Sequence, residues 1–205
     1  GSEMCIRDSP KAKHNALTNL DFRVEDGEIF GFLGPSGAGK STTLGILTGT
    51  LTGWTGNVEV GGKNPSRADG DFYREIGVCF ESPRFHDKFT AAENLRLFGA
   101  LYGVRLRDAK ELMGRLGLGA HMDKKVEAYS KGMKTRLSLV RSLLHDPALL
   151  FLDEPTNGLD PTLSRTVCSL ISEERDRGKA IFLTTHDMST AAALCDRVGF
   201  LTDGN

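Results

Sequence analysis

Apolar positions in this chain fall into short solid runs that alternate with stretches of helical periodicity. Glu28 to Leu33 is nearly continuous in apolar residues, as a strand buried on both faces should be. A glycine-rich turn separates it from a helix over Lys40 to Leu47. Asn57 to Val60 alternates in the manner of an edge or antiparallel strand, and Ile76 to Phe80 reads as a further strand. From Ala91 to about Tyr102, Leu95, Leu97, Phe98 and Leu101 recur at roughly helical spacing. Asp108 to Leu116 and Gly132 to Leu144 also read as helices, the second with Leu137, Val140 and Leu144 on one face.

The second half alternates more cleanly. Ala148 to Leu152 is a buried strand, and Asp160 as N-cap before Pro161 opens a helix that runs to about Arg177 and stops at Gly178. Ala180 to Thr184 is a strand, Met188 to Cys195 a helix, and Arg197 to Leu201 a last strand. Strands alternating with helices predict an α/β fold around a mostly parallel central sheet. Asn57 to Val60 adds an antiparallel β portion, and the helical stretch at about 86–146 predicts a subdomain.

Composition narrows the function classes. The 205 residues are 39% hydrophobic and 26% charged, an ordinary globular balance, with a net charge of -1. That balance indicates neither a nucleic-acid-binding surface nor a polybasic membrane anchor, so no nucleic acid partner is expected. No apolar run approaches the roughly 20 residues that span a bilayer. Cys5, Cys79, Cys168 and Cys195 lie far apart with no C-x-x-C pair, and read as reduced cytosolic thiols.

The 24 glycines matter through their positions. Gly34-Pro35-Ser36-Gly37-Ala38-Gly39-Lys40-Ser41, followed by Thr42, matches G-x-x-x-x-G-K-[ST] between a strand and a helix. Glycines let backbone N–H groups curl around a polyanion, and the helix presents its positive dipole end to it. Lys40 supplies charge to the β- and γ-phosphates, and Ser41 supplies a hydroxyl to Mg²⁺. Downstream, Asp153 and Glu154 end the Leu149–Leu152 apolar run. Ligands of open parallel sheets lie beyond the carboxyl ends of the strands, so both acids should face the phosphate loop. Asp153 then suits Mg²⁺, and Glu154 suits polarising a water. A glycine-rich turn with an exposed lysine, and a solvated acidic strand end, are the plain alternatives.

From about Asn15 to Asn205 the chain resembles the nucleotide-binding domain of ABC transporters, a P-loop NTPase. Tyr129-Ser130-Lys131-Gly132-Met133 stands at the L-S-G-G-Q signature, and Asp153 to Asp160 looks like the Walker B end with its D-loop. Glu81 stands at the Q-loop position and His186 at the switch histidine. The resemblance implies an ATPase whose cofactors are ATP and Mg²⁺, with Ser41, Asp153 and Glu81 as metal ligands. Glu154, His186, Lys40 and Glu81 would be the catalytic residues. It implies a head-to-tail dimer, homomeric or heteromeric, in which Ser130, Gly132 and Asp160 act across the seam on nucleotide held by a second copy. Read without the family, Ser130 and Asp160 are helix caps and His186 belongs to a capping turn.

The departures are informative. Tyr129, Lys131 and Met133 replace the family's leucine, glycine and glutamine, and Glu81 replaces glutamine. S-K-G-M variants resemble exporters whose membrane partner is of the ABC-2 type, so a separate integral permease is the expected partner. The chain would then sit on the cytoplasmic face of the membrane. The helical subdomain and the Glu81 segment would touch the permease, with Phe85 and Phe89 either lining that groove or packing in the core. The rival is a soluble ATPase of the same type acting on ribosomes or DNA. No aromatic precedes the phosphate loop where the family stacks adenine; His14 is the only ring between Asp8 and Asn15. Gly1 to Ser9 back-translates to a sequence resembling a transposon-based sequencing-library adapter. A non-native leader over 1–9 is therefore expected, followed by one domain over 10–205 that is truncated at both ends.

Overall fold

The computed structural model describes residues 5–7, 17, 20–202 and 204. The elements in chain order are β1 (Cys5–Arg7), β2 (Ile29–Leu33), α1 (Lys40–Leu47), β3 (Asn57–Glu59), α2 (Gly70–Glu75), β4 (Ile76–Cys79), α3 (Ala91–Tyr102), α4 (Ala109–Arg115), α5 (Lys131–Leu143), β5 (Leu149–Asp153), α6 (Pro161–Asp176), β6 (Ala180–Thr185), α7 (Met188–Leu194) and β7 (Arg197–Phe200). Five strands form one sheet in the order β4-β5-β6-β2-β7, with every neighbouring pair parallel. β1 and β3 form a separate antiparallel pair, Ile6 opposite Val58. The expected α/β class, parallel sheet and antiparallel portion are all present. The leader reading and His14 lie largely outside the described residues, except that Cys5–Arg7 takes the strand position beside β3.

The four strands β2, β4, β5 and β6 are buried on both faces and feed two cores, whereas the edge strand β7 is largely exposed. Ile29, Cys79, Leu150, Leu152, Ile181 and Leu183 pack with residues of α3, α4, α5, α6 and α7. Phe30, Phe32, Ile76, Phe151 and Phe182 point the other way, toward Leu44 and Leu47 of α1, Phe72 of α2 and Val58 of β3. Phe22 stacks on Phe30 with ring centroids 5.2 Å apart, extending that aromatic layer.

Three sequence expectations need correction. α2 arises where the pattern assigned nothing: six residues capped by Asp69, which accepts from the Phe72 N–H, are too short to show periodicity. α3 keeps the expected bounds, set by a Thr90–Glu93 capping box and a left-handed Gly103. Its buried face, however, is Ala91, Asn94, Leu95 and Gly99, while Leu97 and Leu101 are exposed. Asn94 earns its burial by bonding both polar groups of the His86 backbone. The other differences are end shifts of one residue, as where Lys131 rather than Gly132 opens α5 behind its Ser130 cap.

Candidate functional site

The parallel register decides which side chains meet. Cys79 lies opposite Leu152, Asp153 opposite Thr184, and Leu33 opposite Thr185. The residues just beyond, Glu81, Glu154, His186 and Gly34, therefore leave the sheet along one edge. There Pro35, Ser36, Gly37, Gly39, Lys40, Ser41, Thr42, Glu81, Asp153, Glu154, Asn157 and His186 line a single cleft of about 650 Å³. Gly34 and Ala38 support the loop from behind: Ala38 is buried, and a Cβ on Gly34 would meet the Leu201 carbonyl at 2.5 Å.

The loop is built for an anion. Gly39 sits at φ 112° before α1, a conformation that L side chains rarely adopt, and no side chain caps the helix. The first-turn N–H groups thus lack a protein acceptor. Lys40 is buried, and its Nζ donates to the Gly34 carbonyl at 2.6 Å and the Pro35 carbonyl at 3.1 Å. The same ammonium lies 3.8 Å from Glu154 Oε1. The ammonium thereby pins the loop it belongs to.

Glu154 is the most constrained acid. Its φ of 49° is left-handed, shared among described non-glycine residues only with Asp146. Such strain costs on the order of 1–3 kcal/mol and survives where the surroundings over-determine it. Here the Glu154 N–H donates to the Thr184 carbonyl, its carbonyl accepts from Asn157, and His186 Nδ1 lies 2.8 Å from Oε1. The carboxylate is almost wholly buried, whereas the imidazole is 58% exposed and open to the cleft.

Asp153 is buried beside it. Burial pushes its carboxyl up from the ordinary range, and the charges of Glu81 and Glu154 push the same way. Hydrogen bonds from the Thr184 hydroxyl and the Glu81 backbone oppose that shift. Thr184 was not foreseen; only the register of β6 reveals it. A crowded anionic pocket with hard oxygen donors at Ser41, Asp153 and Glu81 fits Mg²⁺. Among the described residues no three acidic or imidazole groups converge closely enough to hold an ion unaided. That arrangement suits a metal that arrives with phosphate oxygens.

Glu81 is held from two directions. Asn157 Nδ2 donates to its Oε1 at 3.1 Å, and Lys131 Nζ lies 3.7 Å from the same oxygen. Ser130, Gly132 and Asp160 do not reach this cleft. Ser130 accepts from the Met133 N–H, and Asp160 from the Thr162 and Leu163 N–H groups, so both cap helices. Gly132 packs against the Gly158–Leu159 turn of its own chain. Phe85 is half-buried under Phe98 and the Arg141 guanidinium, while Phe89 is exposed.

With this geometry in view, a family model described as ABC transporter matches residues 17–157. A fluoroquinolones export ATP-binding protein of Mycobacterium tuberculosis is 50% identical over 195 residues, covering 95% of this chain and 65% of that protein. A bacitracin transport ATP-binding protein of Bacillus licheniformis is 39% identical over 191 residues, covering 92% of this chain and 62% of its own length. The chain thus spans less than two thirds of the curated relatives it matches here. A solved ATP-binding subunit of an ABC transporter superposes with a TM-score of 0.88 at 28% identity, covering 99% of this chain and 86% of that one.

Proposed function

Since this chain belongs to the ABC transporter family, we propose that it binds ATP with Mg²⁺ at the strand-end cleft and hydrolyses it to drive a separate membrane permease. The observation that carries this reading is the meeting of the phosphate loop, buried Asp153 and the His186–Glu154 pair in one cleft.

Lys40 and the loop N–H groups take the phosphates, giving up the loop carbonyls that now hold the ammonium. Ser41, Asp153 and Glu81 would hold Mg²⁺, which when bound neutralises charge on the phosphates. Water attacks the γ-phosphorus, its proton passes to Glu154 and ADP leaves. His186 aims the Glu154 carboxylate and offers its other ring nitrogen to the γ-phosphate. Ser130, Gly132 and Asp160, lying outside their own cleft, act on nucleotide bound by a second ATPase domain, identical or not.

Among the described residues no helix is long and apolar enough to cross a membrane. A second cleft of about 570 Å³, lined by Phe80, Ser82, Arg84, Phe98 and Arg141, shares Ser41, Glu81 and Asp153 with the nucleotide site. We assign it to an ABC-2 type permease, which would hold the chain at the cytoplasmic face. The relative named for fluoroquinolones export favours that direction. The test is Mg²⁺-dependent ATP turnover by the purified chain and its loss in Glu154→Gln with ATP binding kept. Unchanged turnover in that variant overturns the assignment. Co-purification with a multi-span membrane protein supports the permease, and co-sedimentation with ribosomes opposes it.

A further inference from the structure

Two residues that depart from the family pattern contact each other. Lys131 is the first residue of α5 and Glu81 lies in the segment after β4, yet their charged ends are 3.7 Å apart. Asn157, in the turn after β5, donates to the same carboxylate oxygen at 3.1 Å. Three segments thus converge on one oxygen at the rim of the nucleotide cleft.

α5 has no use for this lysine. A cation in the first turn opposes the helix dipole, and that turn carries no acidic residue to offset it. The helix cap is Ser130, not Lys131. The cleft, by contrast, has use for it. Glu81, Asp153 and Glu154 all face that space, and the one buried ammonium there, Lys40, is engaged by Glu154 and two loop carbonyls. Lys131 brings a second positive charge to that space, at Glu81.

We propose that Lys131 is a positioning residue that holds the Glu81 carboxylate as its internal counter-ion, and that a divalent cation bound with nucleotide displaces it. The side chains are 63% and 42% exposed, so the pair is weak and exchangeable. A hard divalent ion outcompetes a single ammonium for a carboxylate. When Glu81 turns to the metal, the start of α5, with Ser130 and Gly132, loses one of its ties to the segment after β4, and the Lys134–Asp87 pair at 3.1 Å remains. Metal occupancy in one chain is thereby linked to the freedom of the surface it offers a second copy, and the linkage runs in both directions.

This inference rests on the nucleotide reading of the cleft, and the experiment separates the two. The affinities for Mn²⁺–ADP and for metal-free ADP are measured by calorimetry, and their ratio isolates the metal's contribution without turnover. Lys131→Met, which keeps the aliphatic stem, raises the ratio about three-fold. Lys131→Arg, which keeps the pair, leaves it where it was. In a Glu81→Gln background, Lys131→Met has less than half that effect. An unchanged ratio in Lys131→Met, or an equal rise in both backgrounds, overturns the counter-ion role while the nucleotide site stands. Absence of ADP binding in the unaltered chain overturns the nucleotide reading, and this inference with it.

Discussion

His186 Nδ1 and Glu154 Oε1 lie 2.8 Å apart, although 32 residues separate them in the chain. The contact follows from pairing Asp153 with Thr184 in parallel register, which delivers the residue just after β5 and the second residue after Thr184 to one point. An imidazole bonded through Nδ1 is fixed in ring orientation, with Nε2 left for whatever enters the cleft. The carboxylate is held from behind by Lys40 and from in front by His186. Position is what the fold gives Glu154.

Glu154→Gln keeps the shape and removes the proton acceptor, so ATP turnover falls by about 10²–10⁴-fold while ATP affinity stays within a few-fold. His186→Ala falls by about 10²-fold, and the double variant falls little further than Glu154→Gln alone, because the two act as a unit. Single-turnover kinetics on the four proteins checks this. Additive losses would show that His186 works independently of Glu154.

Lys40 has a structural task besides its charge, since its ammonium ties down the Gly34 and Pro35 carbonyls. Lys40→Met therefore weakens ATP binding by at least about 10²-fold and also loosens the loop. Hydrogen exchange of the amides over residues 34–39 in the nucleotide-free variant should accelerate. A loop as protected as in the unaltered chain would confine Lys40 to phosphate binding.

Much of this was legible in the chain itself, because strong local signals coincide with the site. The apolar run before Gly34, the G-K-S triplet and the Asp153–Glu154 strand end each state where a phosphate and a cation belong. Less legible was whatever depends on register. Thr184 against Asp153 and Lys131 against Glu81 have no spacing rule, since they meet through the sheet and through α5 packed on it. The spacing of Leu95, Leu97, Phe98 and Leu101 locates α3 but not its buried face, since Leu97 and Leu101 are exposed.

Gly77 in β4 shows how tightly α5 is seated. A Cβ there would meet the Ser142 carbonyl at 2.1 Å and the Leu150 and Pro147 side chains at 2.8 Å. Backbone cannot yield as a flexible side-chain end can, so Gly77→Ala costs at least about 3 kcal/mol. Chemical denaturation would show a lower midpoint at unchanged slope. A loss under about 1 kcal/mol would mean that α5 can slide on the sheet.

Glu174 is the centre of a buried ionic network. Its side chain is 1% exposed and meets Arg107 at 2.7 Å, Arg177 at 3.3 Å and Lys179 at 3.6 Å. Arg107 comes from the α3–α4 connection, so the network ties the helical region to the end of α6. Glu174→Ala leaves the largely buried Arg107 with only Asp146 at 3.8 Å and takes one of two carboxylates from buried Lys179, at a cost of about 3 kcal/mol. Thermal unfolding should shift down by roughly 10 °C. A shift within 2 °C of zero, about the effect of half a kcal/mol at this size, would mean that Asp146 takes over both cations.

His145 contributes to how stability depends on pH. It is buried, its ring stacks on Tyr102 at 3.7 Å between centroids, and its Nε2 lies 2.9 Å from the Ile76 carbonyl. A carbonyl partner requires Nε2 to carry the hydrogen, which leaves Nδ1 as a bare, buried lone pair with no partner among the described residues. Burial lowers the imidazole's pKa, and the nearby Lys179 charge adds to that, while the Ile76 bond and Asp146 oppose it. A folded state that binds its proton less readily than the unfolded chain loses stability as pH falls. The contribution is whole above the unfolded value of about 6.5 and drains away below it. His145→Phe keeps a ring against Tyr102 but has no proton to gain. It should be less stable at pH 7.5 by about 1 kcal/mol for the lost Ile76 bond. Its stability should also change less between pH 7 and pH 5, by up to about 1.4 kcal/mol per pH unit. Urea unfolding of both proteins across that range decides the matter, and parallel pH profiles would remove His145 as the sensor.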